Sequence, residues 1–226
     1  MRSRAFAVLR ITTPIVIIVA SVVIACIFVT PRATSEGTGI HPSRVVTIGD
    51  SIMAGLNLDP SEAWPAVIGD ERDATVTNLG CSGAGFIAGG TCGTDFRGLI
   101  AKAEATKPQL VIIQSSDNDL GQSPAKLTAA TDATLVELRR ALPHATIVGF
   151  NTLWDQPGTA PTEVTYSSEE LRDALREVKG TYIDIGQPLR GTPGLMQSDH
   201  EHPTAAGQRV LAAAIIAALQ RAGINL

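Results

Sequence analysis

The chain has 226 residues, room for one ordinary domain and short extras, and its 44% hydrophobic and 18% charged content excludes wholesale disorder. Aromatic residues make up only 4%, too few for a base-stacking platform or an aromatic carbohydrate-binding face. Three cysteines exclude a disulfide-dense miniprotein and a four-cysteine zinc site. The net charge of −4 is unevenly spread: residues 1–34 hold Arg2, Arg4, Arg10 and Arg32 and no acid, leaving 14 basic against 22 acidic residues beyond. An acidic globular part repels phosphate backbones, so nucleic acid is not an expected partner.

From Ile11 to Thr30 no residue is charged. Twenty such residues make a helix of about 30 Å, the hydrocarbon thickness of a bilayer. Arginines crowd its amino-terminal side, which predicts a cytoplasmic amino terminus with the rest of the chain outside. Three forms of this segment (residues 1–30) stay open: an uncleaved single-pass anchor, which its length favours; a cleaved signal peptide; and a lipoprotein processed at Cys26. Each puts the remainder outside the cytoplasm. Residues 31–43, rich in Pro, Gly, Ser and Thr, read as a tether. The domain is expected over 44–226.

Strands are predicted at Arg44–Ile48, Ala74–Leu79, Gln109–Gln114, Ala145–Phe150 and Thr181–Ile185, which are rich in Val, Ile and Thr. Helices fill the gaps. Ser123-Pro124 opens one whose buried stripe is Leu127, Thr131, Leu135, Leu138 and Leu142. The last is expected from Pro203 to Ala222, with Val210, Leu211, Ala214, Ile215 and Leu219 inward and Gly223 as its cap. Such alternation implies a parallel sheet with helices on both faces, and ligands then bind where the strands end.

Each strand end carries polar residues. After the first comes Gly49-Asp50-Ser51, a tight exit that sets Ser51 near a helix start, or a simple Ser cap. After the second comes a glycine-rich loop from Asn78 to Gly85 whose bare N–H groups can approach a ligand. Its partial dinucleotide fingerprint is rejected, because Gly89-Gly90 break the helix that should follow. Cys81 and Cys92 border this loop and are expected to pair in an oxidising compartment, the alternative being two small buried thiols. After the third strand, Asn118 within Ser115–Asp119 can donate an amide hydrogen bond, or merely belong to a capped turn.

Before the last helix stands Asp199-His200-Glu201-His202-Pro203. Asp199, three residues upstream, can accept from Nδ1–H of His202 and leave Nε2 free as a base. His200 reads as a solvated neighbour, and His41 and His144 as structural. Trp64 and Trp154 are either cleft-lining or core residues.

These four stretches, in this order and at these strand ends, resemble the SGNH (GDSL-type) hydrolase family over about residues 44–222. The resemblance implies a flavodoxin-like three-layer α/β/α fold with a five-stranded parallel sheet, here preceded by a transmembrane helix. It implies that Ser51 is the nucleophile, with Asp199 and His202 completing the triad. Oxyanion donors would be the N–H of Ser51, Gly83 and Asn118. Gly83 is preferred to Gly80 for its offset of five from Asn78. No metal or cofactor is implied, and the substrate would be an acyl ester, a small molecule or one borne on a glycan or lipid, with short acyl groups foremost. A monomer is expected. The family's third block usually begins with Gly where this chain has Ser116, and the added Cβ narrows the pocket.

Three competitors use the same residues. A metal phosphoesterase would recruit Asp50, Asp117, Asn118, His200 and His202 but leave Ser51 idle. A binding module would use the fold without chemistry. An acyltransferase would share the Ser51 intermediate and pass the acyl group to a sugar hydroxyl.

Overall fold

The structure, a computed structural model, describes residues 41–226. The charged and apolar segment 1–30, and the tether up to residue 40, lie outside the described residues. Among those described, no helix is long and apolar enough to cross a membrane.

Five strands form one parallel sheet: β1 (Arg44–Ile48), β2 (Thr75–Asn78), β3 (Leu110–Gln114), β4 (Thr146–Phe150) and β5 (Thr181–Ile183), in the order β2-β1-β3-β4-β5. Among the described residues the six α-helices are α1 (Ser51–Ala54), α2 (Trp64–Arg72), α3 (Ile100–Ala105), α4 (Pro124–Ala141), α5 (Thr162–Glu177) and α6 (Ala205–Arg221). The predicted strands are all present, the first with its expected bounds and the other four shorter by one or two residues. The fifth stops at Ile183 because Asp184 turns the chain, its carboxylate accepting from Gly186 N–H at 2.7 Å.

Alternating residues of the strands supply two cores. Val46, Ile48, Val111, Ile113 and Ile147 pack with Leu99, Leu135, Leu138, Leu171 and Leu175, from the α3–α5 side. Val45, Leu110, Ile112, Val148 and Phe150 pack with Met53, Trp64, Ile68, Leu211, Ile215 and Leu219, from the α1, α2 and α6 side. Trp64 is thus a core residue. The full predicted stripe of α4 is buried.

The last helix departs from expectation at its start and on one face. Pro203 is not its first residue: it forms an antiparallel bridge with Met196, and Thr204 caps the helix by accepting from Gly207 N–H. Val210 is 38% exposed, because the inward stripe is set by Gln208, Leu211, Ala212 and Ile215 instead. Gly223, at φ +77°, follows the helix end in the left-handed conformation its sequence position suggested.

With β1 and β3 adjacent and their crossovers running in opposite directions, a crevice opens beyond the carboxyl ends of these two strands. Gly49-Asp50-Ser51 and Ser115–Asp119 both emerge there.

Candidate active site

Asp50, in extended conformation, caps α1: its Oδ1 accepts from Ile52 N–H at 2.9 Å. That fixes Ser51 as the first helical residue, buried at 7% exposure. Asp50 Oδ2 receives the Ser116 hydroxyl at 2.6 Å. Burial pushes the Asp50 carboxyl up, and the bond from Ser116 partly offsets it.

Ser51 Oγ lies 2.9 Å from His202 Nε2, and His202 Nδ1 lies 2.9 Å from Asp199 Oδ2. The other carboxylate oxygen of Asp199 accepts N–H from Glu201 and His202, each at 3.0 Å. These bonds, the His202 amide first among them, hold the Asp199 carboxyl down at about 2, so it is ionised throughout the neutral range. A permanent acceptor at Nδ1 favours the tautomer with Nε2 free to accept from the serine.

The loop carrying the imidazole is tied down by residues the sequence reading did not single out. Gln197 N–H donates to His202 O at 2.7 Å, and its side-chain amide donates to Leu56 O and Pro203 O at 2.9 Å each. Gln208 is fully buried in α6. It accepts from Trp64 N–H at 2.9 Å and donates to Ile52 O at 2.8 Å, joining three helices beneath the serine. A glutamine in an otherwise apolar stripe was a signal that could have found it.

The glycine-rich loop is held at three points. Asn78 Oδ1 accepts from Gly80 N–H at 2.9 Å, and Cys81 and Cys92 form a disulfide, as expected. Asp119, 3% exposed, accepts three N–H groups, from Phe86 at 2.6 Å, Ile87 at 3.0 Å and Ala88 at 2.8 Å. Gly85 must be glycine, because a Cβ there would strike the Asp119 carboxylate. Gly83 takes φ +79°. Among the described residues, neither the Gly83 nor the Ser51 N–H donates a hydrogen bond.

Asn118 sits at the crevice, but its amide is occupied. Nδ2 donates to Ala84 O at 3.1 Å and to Ser116 Oγ at 2.9 Å. The second contact exists only because residue 116 carries a hydroxyl. Asp117 borders the same space, with Gln156 Nε2 donating to its Oδ2 at 3.4 Å. Burial first, then the charges of Asp50 and Glu201, push the Asp117 carboxyl up to about 7. Among the described residues no three His, Cys, Asp or Glu side chains converge to hold a metal ion, so Asp50, Asp117, Asn118, His200 and His202 do not form one ligand set. His200 is exposed, with φ +61°.

Residues 47–210 match the GDSL-like Lipase/Acylhydrolase family. The chain is 26% identical to Esterase TesA of Pseudomonas aeruginosa, the alignment covering 82% of this chain and 88% of that one. Among solved structures, one of TesA superposes with a TM-score of 0.64 at 24% identity, covering 79% of this chain and 98% of the other. The psychrotrophic esterase EstA from Pseudoalteromonas sp., inhibited by monoethylphosphonate, gives 0.65 at 20%, covering 79% and 97%. At these identities the superpositions speak for the fold.

Proposed function

Because the chain belongs to the GDSL-like lipase/acylhydrolase family, enzymes that hydrolyse ester bonds, we propose that it cleaves carboxylic esters by way of Ser51, His202 and Asp199. The observation that carries this reading is the unbroken hydrogen-bonded chain from Ser51 Oγ through the His202 ring to Asp199, 2.9 Å at each step. His202 Nε2 takes the hydroxyl proton as Ser51 attacks the carbonyl carbon. The tetrahedral oxyanion is met by the uncommitted N–H groups of Ser51 and Gly83, and Asn118 joins them by exchanging its bond to Ser116 Oγ. The imidazolium then protonates the leaving alcohol. Water, activated by the same ring, releases the acid from the acyl-serine. Apart from the substrate and the water, every step uses groups this chain itself supplies.

Short acyl groups, acetyl included, are the proposed substrates, carried by small molecules or by envelope glycans or lipids. An address outside the cytoplasm, with membrane attachment through residues 11–30, is supported by the arginine-flanked apolar run. The Cys81–Cys92 disulfide supports it too, since such bridges persist in oxidising compartments.

The test is p-nitrophenyl acetate hydrolysis by purified wild type and Ser51→Ala, with a fluorophosphonate to report the serine. Wild type should turn over, survive EDTA and gain one covalent label at Ser51. The variant should fall by at least about 10⁴-fold while keeping its far-UV circular dichroism. Undiminished turnover by Ser51→Ala would end the mechanism.

A further inference from the structure

The serine and the imidazole stand on two short turns from opposite ends of the domain. Ser51 opens α1, which is a single turn long, too short a helix to hold together in isolation. Leu56 N–H closes its far end on Ser51 O at 3.1 Å. His202 ends a turn in which Ser198, Asp199 and His200 are exposed. Asp199 orients the ring, but its bonds stay within that turn.

One side chain spans the two turns. Gln197 Nε2 donates to Leu56 O and to Pro203 O at 2.9 Å each, and its Oε1 accepts from Asn57 Nδ2 at 3.2 Å. Its backbone N–H donates to His202 O at 2.7 Å, and its carbonyl accepts from His200 N–H at 3.0 Å. Both amide hydrogens are used, one on the serine's turn and one on the imidazole's. Among the described residues, the hydrogen bonds that join residues 50–58 to residues 195–204 are those of the Gln197 side chain and the Ser51–His202 bond itself.

The reaction cycle sets these two links apart. The Ser51–His202 bond lasts only while the serine holds its hydrogen. Once the acyl group is on Ser51, that oxygen has nothing to donate, yet the ring must still stand where it can take a proton from the incoming water. The Gln197 bonds involve no reacting atom and persist through both halves of the cycle.

On the esterase reading, which this inference rests on, we propose that Gln197 is a positioning residue: its side-chain amide ties the serine's turn to the imidazole's and keeps Ser51 Oγ and His202 Nε2 in register through acylation and deacylation. A displacement of about 1 Å at a reacting group costs on the order of 10²-fold in rate. A brace that served stability alone would leave the rate of the folded enzyme untouched.

The experiment replaces Gln197 with Met, which keeps the length of the side chain and removes its hydrogen bonds. Wild type and Gln197→Met are compared well below the melting temperature of either, with circular dichroism confirming the fold. Two rates are read: p-nitrophenyl acetate hydrolysis, and covalent labelling of Ser51 by a fluorophosphonate. In the variant kcat should fall at least about tenfold with KM within about threefold of wild type, and labelling should slow at least about tenfold. A smaller loss in either rate, or a loss carried by KM, overturns the inference. If Gln197→Met does not fold, Asn57→Gly decides in its place. Asn57 is exposed at φ +66°, a conformation glycine takes readily, and the change removes the bond to Gln197 Oε1. Both rates should then fall at least about threefold, and a smaller loss again overturns the inference. The wild type separates the two levels. If it turns over the ester and takes the label while the deciding variant matches it, the positioning role alone fails. If the wild type does neither, the esterase reading fails and this inference with it.

Discussion

Ser116 donates to Asp50 at 2.6 Å, linking the residue that caps the serine's helix to the loop that carries Asn118. The same hydroxyl oxygen accepts the Asn118 amide at 2.9 Å and its backbone N–H at 3.1 Å. What the sequence presented as a narrowing of the pocket is therefore a junction, where one side chain satisfies a buried acid and positions an amide.

Removing that hydroxyl should be costly. Ser116→Ala leaves Asp50 buried with one donor fewer and pushes its carboxyl higher still. We expect a loss of about 1–3 kcal/mol at pH 7 by urea denaturation. The sign follows from burial: the Asp50 share of the deficit is largest while Asp50 is ionised, so the deficit shrinks as the pH falls and the acid is protonated.

Asn118→Ala separates a catalytic from a structural amide. As an oxyanion donor its loss lowers kcat by about 10²–10³ with KM little changed. Stability should move by no more than about 1 kcal/mol, for the bond to Ala84 O. An unchanged kcat with a lowered melting temperature would leave Asn118 a loop brace only.

Asp119→Asn strikes the glycine-rich loop at its anchor. One amide oxygen replaces a carboxylate that accepts three N–H groups. We expect a loss of about 2–4 kcal/mol in urea. A kcat at least tenfold lower should follow, because the loop that presents the Gly83 N–H loosens. Equal stability and rate would refute the anchoring role.

Asp117→Asn should stabilise the protein, by an amount that grows as the pH rises from about 4 to about 7 and stays constant above. The wild-type carboxyl titrates at about 7 when folded against an ordinary 3.8. Between these values the folded state holds a proton that the unfolded state has released, so wild-type stability falls as pH rises from about 4 to 7. The variant escapes that fall. Its melting temperature should exceed that of wild type at pH 8, by the equivalent of about 1–2 kcal/mol after solvent screening, and converge with it at pH 4.

The disulfide is a matter of chain entropy. Cys81 and Cys92 close a loop across 11 positions. Replacing both with Ser should lower stability by about 3 kcal/mol in the loop-closure account. Treatment of the wild type with a thiol reductant under denaturing conditions, followed by refolding, should reproduce the deficit.

Much of the architecture could be read along the chain because its cause is local. The strand LVIIQ announces burial on both faces, and all five of its residues are buried. The Asp199–His202 spacing encodes a three-residue fold-back, which is why that pair could be named from the residues, whereas Gly49-Asp50-Ser51 alone reads equally as a cap and Ser51's role came from the family resemblance. What escaped depends on distant partners. Gln208 meets Trp64 across 144 positions and Gln197 meets Leu56 across 141, and neither spacing leaves a local trace. Val210 is apolar yet lies outward, because the buried stripe runs through Gln208, Leu211, Ala212 and Ile215.

The serine and the imidazole that meets it are 151 positions apart, one just past the first strand and the other just ahead of the last helix. During synthesis the hydroxyl emerges early, but no base can reach it until nearly the whole polypeptide has been made and α6 has docked. On the proposed Ser51–His202–Asp199 reading, a nascent or carboxyl-terminally clipped chain is expected to hydrolyse no ester even where its sheet has begun to form. On that reading, hydrolytic competence reports that the whole polypeptide has folded.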